Sequence, residues 1–326
     1  MSRVLRFVKD WMLPIGMALG ASLYLVYWAS PWLHPVGSIV LKAVKTIQPV
    51  LLFAMLFLTF CKVEPHDLRP HRWHGWLLLV QISLFALSAL AVIAVPSESA
   101  KAVIESFMLC MICPTATACA VVTGKLGGDM AGVISYTILI NLVTAVMVPL
   151  IVPAIHPVEG VTFVTSFSLI MAKVFPLLVC PCLLAWLVRY LLPPLHKWLL
   201  SFPNLPFYIW AVSLTLAILM TTRALMHSSC GLLTLSGIGI ASLLSCALQF
   251  WGGKCIGQRY GHRITAGQAL GQKNTVFAIW MGYTFMSPVT SVAGGFYSIW
   301  HNVFNSWQLY RQRKAIEAGV TTPVEK

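Results

Sequence analysis

Long apolar runs are the feature that most constrains how this chain can fold. A membrane-spanning helix needs about 20 mainly apolar residues, and the sequence holds ten candidate runs joined mostly by short connections. Hydrophobic residues make up 58% of the chain, charged residues make up 10%, and the mean hydropathy is +0.82. This pattern predicts an all-α polytopic membrane protein with no soluble domain. The predicted spans are Trp11–Trp28, Ile39–Phe60, Trp76–Val95, Ala102–Thr123, Met130–Ile155, Val161–Val188, Pro206–Leu225, Leu232–Phe250, Thr265–Phe285 and Pro288–Leu309.

The net charge of +13 is strongly basic, but its distribution argues against a nucleic-acid partner. The basic residues lie in short turns between apolar runs and form no continuous basic face. With the N-terminus inside, the outer segments hold only Lys42, Lys45, Lys101 and Arg223. The positive-inside rule therefore predicts a multi-pass protein of the bacterial inner membrane with both termini in the cytoplasm.

The ten predicted spans divide into two sets of five at the loop His156–Gly160. Because five is an odd number, the second set must run upside down relative to the first. Inverted repeats of this kind are common among secondary transporters. The sequence therefore predicts two inverted five-helix repeats, in residues 1–155 and 156–326, the second with a short cytoplasmic tail.

Spans four and nine carry matching interruptions, at Cys113–Thr117 and Gly271–Thr275. Pro114 removes a backbone donor and breaks the first of them, and Gly271 begins the second. Non-helical backbone survives at membrane depth only where protein or a water-filled cavity covers it, and half-helix ends there bind ions and anionic groups. The two breaks predict a transport site; the alternative is a simple proline kink in span four and a packing glycine in span nine.

Lys273 is the most unusual residue of the sequence, because it lies inside an otherwise uncharged apolar span. An ammonium group at membrane depth is costly and is by default functional or paired. No carboxylate lies within a predicted span core, and Glu105 falls near the outer end of span four. Lys273 is therefore expected to be neutral, because burial disfavours the charged form of a lysine, or to meet backbone carbonyls and an anionic substrate. The alternative is that it reaches an interface along its stem. For Lys173 the interface is the favoured reading.

The nine cysteines lie mostly inside apolar runs and do not suggest a secreted disulfide framework. The Cys180-Pro181-Cys182 segment lacks nearby histidine or carboxylate ligands, so we predict no metal site and no cofactor. An intramembrane aspartyl protease needs paired aspartates, which the spans lack. His301 is the one histidine well inside a predicted span. We therefore do not expect an enzyme.

Three segments carry a resemblance to a known family. They are Pro49–Phe60 running on to Pro65-His66-Asp67-Leu68; Pro114–Thr123 with Gly127-Gly128-Asp129; and Gly271-Gln272-Lys273-Asn274 with the later Phe296–Asn302. Through them the chain resembles the bile acid:sodium symporter family, within the wider group that includes arsenite exporters and auxin-efflux-like carriers. The resemblance implies ten helices in a panel domain and a core domain, with spans four and nine discontinuous and crossing. It also implies alternating-access transport of organic anions.

The chain departs from that family where the family holds two sodium ions. With Gly271 and Asn274 as anchors, the family's sodium-binding Glu and Gln become Ala269 and Lys273, and a slip of one residue puts Gln268 and Gln272 there instead. A Ser-Asn pair becomes Cys119-Ala120. A Ser in span five becomes Val133, with Ser135 and Thr137 as the nearest hydroxyls, while span three keeps Gln81. Sodium prefers several oxygen ligands, as other hard cations do. We therefore expect degenerate ion sites, weak or absent sodium binding, and Lys273 in place of one ion.

The resulting expectation is a secondary transporter of small organic anions of the bile-acid, keto-acid or sulfonate type, monomeric or weakly oligomeric in the lipid bilayer. A sodium-coupled symporter with a rebuilt ion site and a non-transporting sensor are the alternatives. A metalloid exporter is disfavoured, because Thr115 follows Pro114 where those carriers use a cysteine. The predicted substrate-binding residues are Thr115, Thr117, Cys119, Gln272, Lys273 and Asn274. The predicted ion-site positions are Gln81, Cys119, Ala120, Val133, Thr137, Gln268, Ala269 and Lys273.

Overall fold

The computed structural model describes residues 12–68, 70–202, 204–227, 230–318 and 325. The predicted start of span one at Trp11, the basic residues before it and Arg69 lie outside these ranges. The described residues form fourteen α-helices and two short 3₁₀ helices, Pro31–Val36 and Pro65–Asp67. The α-helices are α1 Met12–Ala29, α2 Gly37–Phe60, α3 Arg72–Ala94, α4 Glu98–Ile112, α5 Cys119–Lys125, α6 Met130–Ile155, α7 Phe163–Leu178, α8 Cys180–Leu191, α9 Pro193–Leu200, α10 Leu205–Met226, α11 Leu232–Gln258, α12 Arg263–Gly271, α13 Thr275–Phe285 and α14 Val292–Glu317.

Helix length and composition confirm a multi-pass membrane protein. Within the described residues, five helices are long and apolar enough to cross a membrane: α2 with its preceding 3₁₀ helix, α3, α6, α10 and α11. The pair α7 and α8 makes a sixth if it counts as one bent span. The predicted spans Ala102–Thr123 and Thr265–Phe285 are divided, because each contains a stretch of non-helical residues. The ten-helix inverted repeat, with halves at 1–155 and 156–326, stays a prediction.

The chain divides into two units. The first comprises the described parts of Met1–Lys62 and Pro181–Ser229. Within it α1 and α10 approach closely at Gly20, where an added Cβ would lie 2.4 Å from the carbonyl oxygen of Thr215. Polar side chains also join distant segments, since the Tyr24 hydroxyl lies 2.7 Å from Nε2 of His227.

The second unit comprises Val63–Cys180 and the described part of Cys230–Lys326, and it contains both interrupted helices. The seam between α11 and α12 is tight: an added Cβ on Gly253 would lie 2.5 Å from the Ala266 carbonyl oxygen. Gly127 has a φ of 84°, which favours glycine, and it makes the turn from α5 into α6. These close approaches and turns hold the short helices against the long ones.

Candidate transport site

The two interruptions lie directly against each other within the second unit. Thr115 and Lys273 form an isolated antiparallel bridge. The N–H of Ala116 donates to the carbonyl of Gln272 over 2.9 Å, and the N–H of Asn274 donates to the carbonyl of Pro114 over 2.9 Å. Each break thus supplies hydrogen-bond partners for backbone groups of the other. Buried non-helical chain at membrane depth requires such partners.

Side chains from α3 and α6 hold the first break. Gln81 donates through Nε2 to the Cys113 carbonyl over 3.1 Å and accepts at Oε1 from the Tyr136 hydroxyl over 2.8 Å. The Thr144 hydroxyl donates to the Ile112 carbonyl over 2.9 Å. The carbonyls of Ile112 at the end of α4 and of Cys113 in the break are therefore paired with side-chain donors.

The predicted substrate residues of the first break have different surroundings. Thr115 is fully buried, and its hydroxyl donates to the Ala269 carbonyl over 2.7 Å. Thr117 is half-buried. Cys119 is buried with its sulfur 3.9 Å from the Thr123 hydroxyl. Thr115 therefore ties the two broken helices together, and its hydroxyl is already engaged.

The second break contains a buried lysine. Lys273 is 1% exposed, and its Nζ has no hydrogen-bond partner among the described residues. The thiols of Cys110, Cys113, Cys119 and Cys246 lie near it, and no carboxylate of the described residues forms an ion pair with it. A buried ammonium without a counter-charge costs several kcal/mol, about as much as many proteins have in total stability.

Residues close to this lysine in the sequence have side-chain amides without hydrogen-bond partners. In the described part of the protein, Gln268 has no partner for either polar atom of its side chain, Gln272 has none for Oε1, and Asn274 has none for Nδ2. Asn274 uses its Oδ1 to cap α13, accepting from the N–H of Phe277 over 3.1 Å. Since buried polar groups in proteins are nearly always paired, this group of unpaired atoms points to a ligand or to water.

Several of the predicted ion-site positions lie in one apolar cluster. Cys119, Val133 and Ala269 are buried together with Trp73, Leu77, Tyr136, Ile140, Ala266 and Leu270, and Ala120 packs against them. The Thr137 hydroxyl donates to the Val133 carbonyl over 2.8 Å. Gln81 is engaged at both ends, as described above. A hard cation would find sulfur and methyl groups in this cluster where it prefers oxygens.

Two buried polar residues of α11 and α14 escaped the sequence analysis. Gln249 donates through Nε2 to the Cys110 carbonyl over 3.3 Å, and the same atom lies 3.1 Å from the Tyr297 hydroxyl. The Tyr297 hydroxyl donates to the Gly271 carbonyl over 2.8 Å. A glutamine at the end of the predicted span Leu232–Phe250, with an apolar helix that continues to Gln258, was the signal that could have identified the first of them.

Glu105 is more buried than its expected place at the outer end of span four suggests, since it is 5% exposed. It accepts from the Thr290 hydroxyl over 2.9 Å, and its other oxygen lies 3.2 Å from Nε2 of His156. Its ion-pair partner among the described residues is His156 and not Lys273. Among the described residues, no set of histidine, cysteine or acidic side chains is arranged to hold a metal ion.

An apolar multi-pass chain whose interrupted helices pair at a buried cationic residue has the features of a membrane transporter. The chain belongs to the sodium bile acid symporter family, whose model matches residues 49–230, more than half of the sequence. The matched range includes the first break and ends before the second. The chain matches none of the curated proteins. Members of the family transport small molecules across membranes and are not enzymes, which establishes the class of this protein.

Proposed function

We propose that this protein is a secondary transporter of small organic anions that works by alternating access, with Lys273 in the place of a sodium ion. The observation that supports this proposal most directly is the buried Lys273 Nζ without a partner at the paired breaks. A substrate anion would supply the missing counter-charge and would be held by a charge-assisted bond, which is about twice as strong as a neutral one.

The local geometry adds further donors for an anion. Asn274 is the N-cap of α13, and its Nδ2 has no partner among the described residues. The N-terminus of an α-helix carries a partial positive charge that favours negative groups. Lys273, Asn274 and the start of α13 therefore present positive charge and N–H groups side by side in the chain.

Sodium independence rests on two features of the same unit. The apolar cluster at Cys119, Val133 and Ala269 replaces oxygen ligands, and a lysine ammonium nearby repels a cation. A fixed positive charge can take over the electrostatic role of a bound cation without needing a gradient of it. Transport is then proton-linked or uncoupled.

A sodium-coupled symporter with a rebuilt ion site is the second candidate. Family membership favours it, and so do the unpartnered amide oxygens of Gln268 and Gln272. Such a site would rely on neutral oxygens alone, in contrast to the carboxylate-containing sites that hard cations usually occupy.

Uptake by proteoliposomes separates the two candidates. Purified protein is assayed with a panel of bile acids, keto acids and sulfonates, in sodium or choline, at two pH values. The variants are Lys273→Ala and the matched control Lys173→Ala, which removes an exposed lysine of α7. Uptake in choline that is lost only in Lys273→Ala supports the proposal. A strict sodium requirement in the wild type contradicts it and favours the rebuilt ion site, and anion binding without uptake indicates a sensor.

A further inference from the structure

A cavity of about 270 Å³ lies between α3 and α11, and it shares Leu270 with the apolar cluster at the breaks. Its walls include Val80 and Leu84 of α3, Leu248, Gly252 and Ile256 of α11, and Leu270 of α12. Its lining surface is almost entirely apolar. Apolar cavities of about 150 Å³ already stay dry and take up small hydrocarbons, so this larger one is suited to a hydrocarbon chain.

Two residues of the cavity lining are exposed on α11. Trp251 is 66% exposed, and the Cys255 thiol is also exposed there. Both α3 and α11 are long and apolar enough to span a membrane, so this face meets lipid. Tryptophan at such a position is typical of the boundary between hydrocarbon and headgroups.

A basic residue follows the cavity on the same helix face. Gly252, Ile256 and Arg259 are spaced at i, i+4 and i+7, which aligns them along α11. Arg259 is exposed at the C-terminal end of the helix, about 10 Å beyond Gly252 at 1.5 Å per residue. Among the described residues it forms no ion pair with an acidic side chain.

Other positive charges collect at the same end of α11. Arg263 and Arg311 each lie close enough to Lys254 to repel its ammonium group. The Glu325 carboxylate is engaged nearby, since it accepts from the N–H groups of Ile264 and Thr265 over 2.6 and 3.0 Å. Basic pockets between membrane helices bind the headgroups of anionic lipids.

We propose that this cavity and Arg259 together form a binding site for an anionic phospholipid. One acyl chain fills the cavity between α3 and α11, and the phosphate is bound by Arg259 at the end of α11. Gln81 and Gln249, which hold the carbonyls of Cys113 and Cys110, form part of the inner wall. A bound lipid therefore packs against the side chains that fix the first break. This proposal does not depend on the identity of the transported substrate.

The cavity is tested by plugging it. Phosphatidylglycerol with a photoreactive group in one acyl chain is incorporated into phosphatidylcholine nanodiscs with the whole protein, and the labelled peptides are mapped by mass spectrometry. We expect labelling of residues 80–84 and 248–256, reduced about tenfold by Gly252→Phe, as a loss of 1.4 kcal/mol gives. The matched control is Gly75→Phe on α3. An added Cβ on either glycine meets no atom within 4 Å, so both variants should fold.

The contact with the headgroup is tested by removing the charge of Arg259. Arg259→Gln should lower phosphatidylglycerol labelling about fivefold, as expected for a basic residue near an anionic surface. Arg313→Gln in α14 is the matched control and should leave labelling unchanged. Equal labelling by a photoreactive phosphatidylcholine overturns the assignment of an anionic lipid. Labelling that is spread evenly over the exposed helices, or that Gly252→Phe leaves intact, overturns the site itself.

Discussion

The two helix breaks pair with each other but differ in how their polar groups are satisfied. At the first break, Gln81 and Thr144 donate to chain carbonyls, and the Thr115 hydroxyl is bonded to Ala269. At the second break, Lys273 Nζ and Asn274 Nδ2 have no partner among the described residues. The first break also lies inside the range that the family model matches, and the second lies beyond it.

Two breaks that pair with each other can therefore have opposite roles. Paired groups stabilise the fold, since each buried hydrogen bond that is lost leaves a group without its solvation. Unpaired buried groups cost stability and are retained where a ligand satisfies them. We therefore expect substitutions of the paired groups at the first break to lower stability, and substitutions of the unpaired groups at the second to affect anion binding more than stability.

Gln81→Leu should have the largest effect on stability. It leaves the Cys113 carbonyl and the Tyr136 hydroxyl without partners, at about 1–3 kcal/mol for each buried group. The free energy of unfolding, measured by denaturation in detergent micelles, should fall by about 2–5 kcal/mol. Gln308→Leu removes only a weak bond within α14 and serves as the control. Equal losses in both variants would show that the contrast between the breaks is wrong.

Lys273→Met should not lower the free energy of unfolding, in contrast to Gln81→Leu. Replacing an unpaired buried ammonium by an apolar side chain of similar length should leave the free energy of unfolding unchanged or raise it by up to about 4 kcal/mol. Anion binding, measured by ligand-induced thermal stabilisation, should weaken at least about 30-fold, because one partner of a buried charge pair is lost. Lys173→Met, near the Phe285 ring, is the control. A clear loss of stability in Lys273→Met would instead indicate a structural lysine.

Thr115→Val should destabilise the protein by about 1–3 kcal/mol, because the buried Ala269 carbonyl loses its donor. Thermal unfolding in detergent measures the change. Thr115→Ser keeps the hydroxyl and should recover most of the loss. If the valine and serine variants unfold alike, the hydroxyl does not hold the two breaks together.

Thr117→Ala should have the smallest effect on the fold. Thr117 is half-buried, and no hydrogen bond of its hydroxyl occurs within the described chain, so the free energy of unfolding should change by less than about 0.5 kcal/mol. If Thr117 lines the substrate site, anion affinity should still fall about fivefold, as one lost hydrogen bond of about 1 kcal/mol gives. Unchanged affinity would remove Thr117 from the proposed site.

Local sequence signals predicted where the interruptions lie. Pro114 cannot continue a helix, and the polar stretch Gln272–Asn274 cannot face lipid, so their position follows from residue chemistry alone. The roles of individual residues did not follow in the same way. Thr115 stays a predicted substrate contact, and the structure adds that its hydroxyl bonds the Ala269 carbonyl, 154 residues away in sequence. Gln249 and Tyr297 were missed because their partners are also distant in the chain.

The membrane class, the resemblance to the family, the two interruptions and the lysine at the second can all be read from the order of the residues. These depend on composition, on the length of apolar runs and on short motifs, which are properties of neighbouring residues. The pairing of the breaks through Thr115 and Lys273, the hydrogen bonds of Gln81, and the apolar cluster of Cys119, Val133 and Ala269 are visible only in the folded chain. Hydrogen bonds and burial join residues far apart in the chain, and packing, rather than spacing, brings those residues together.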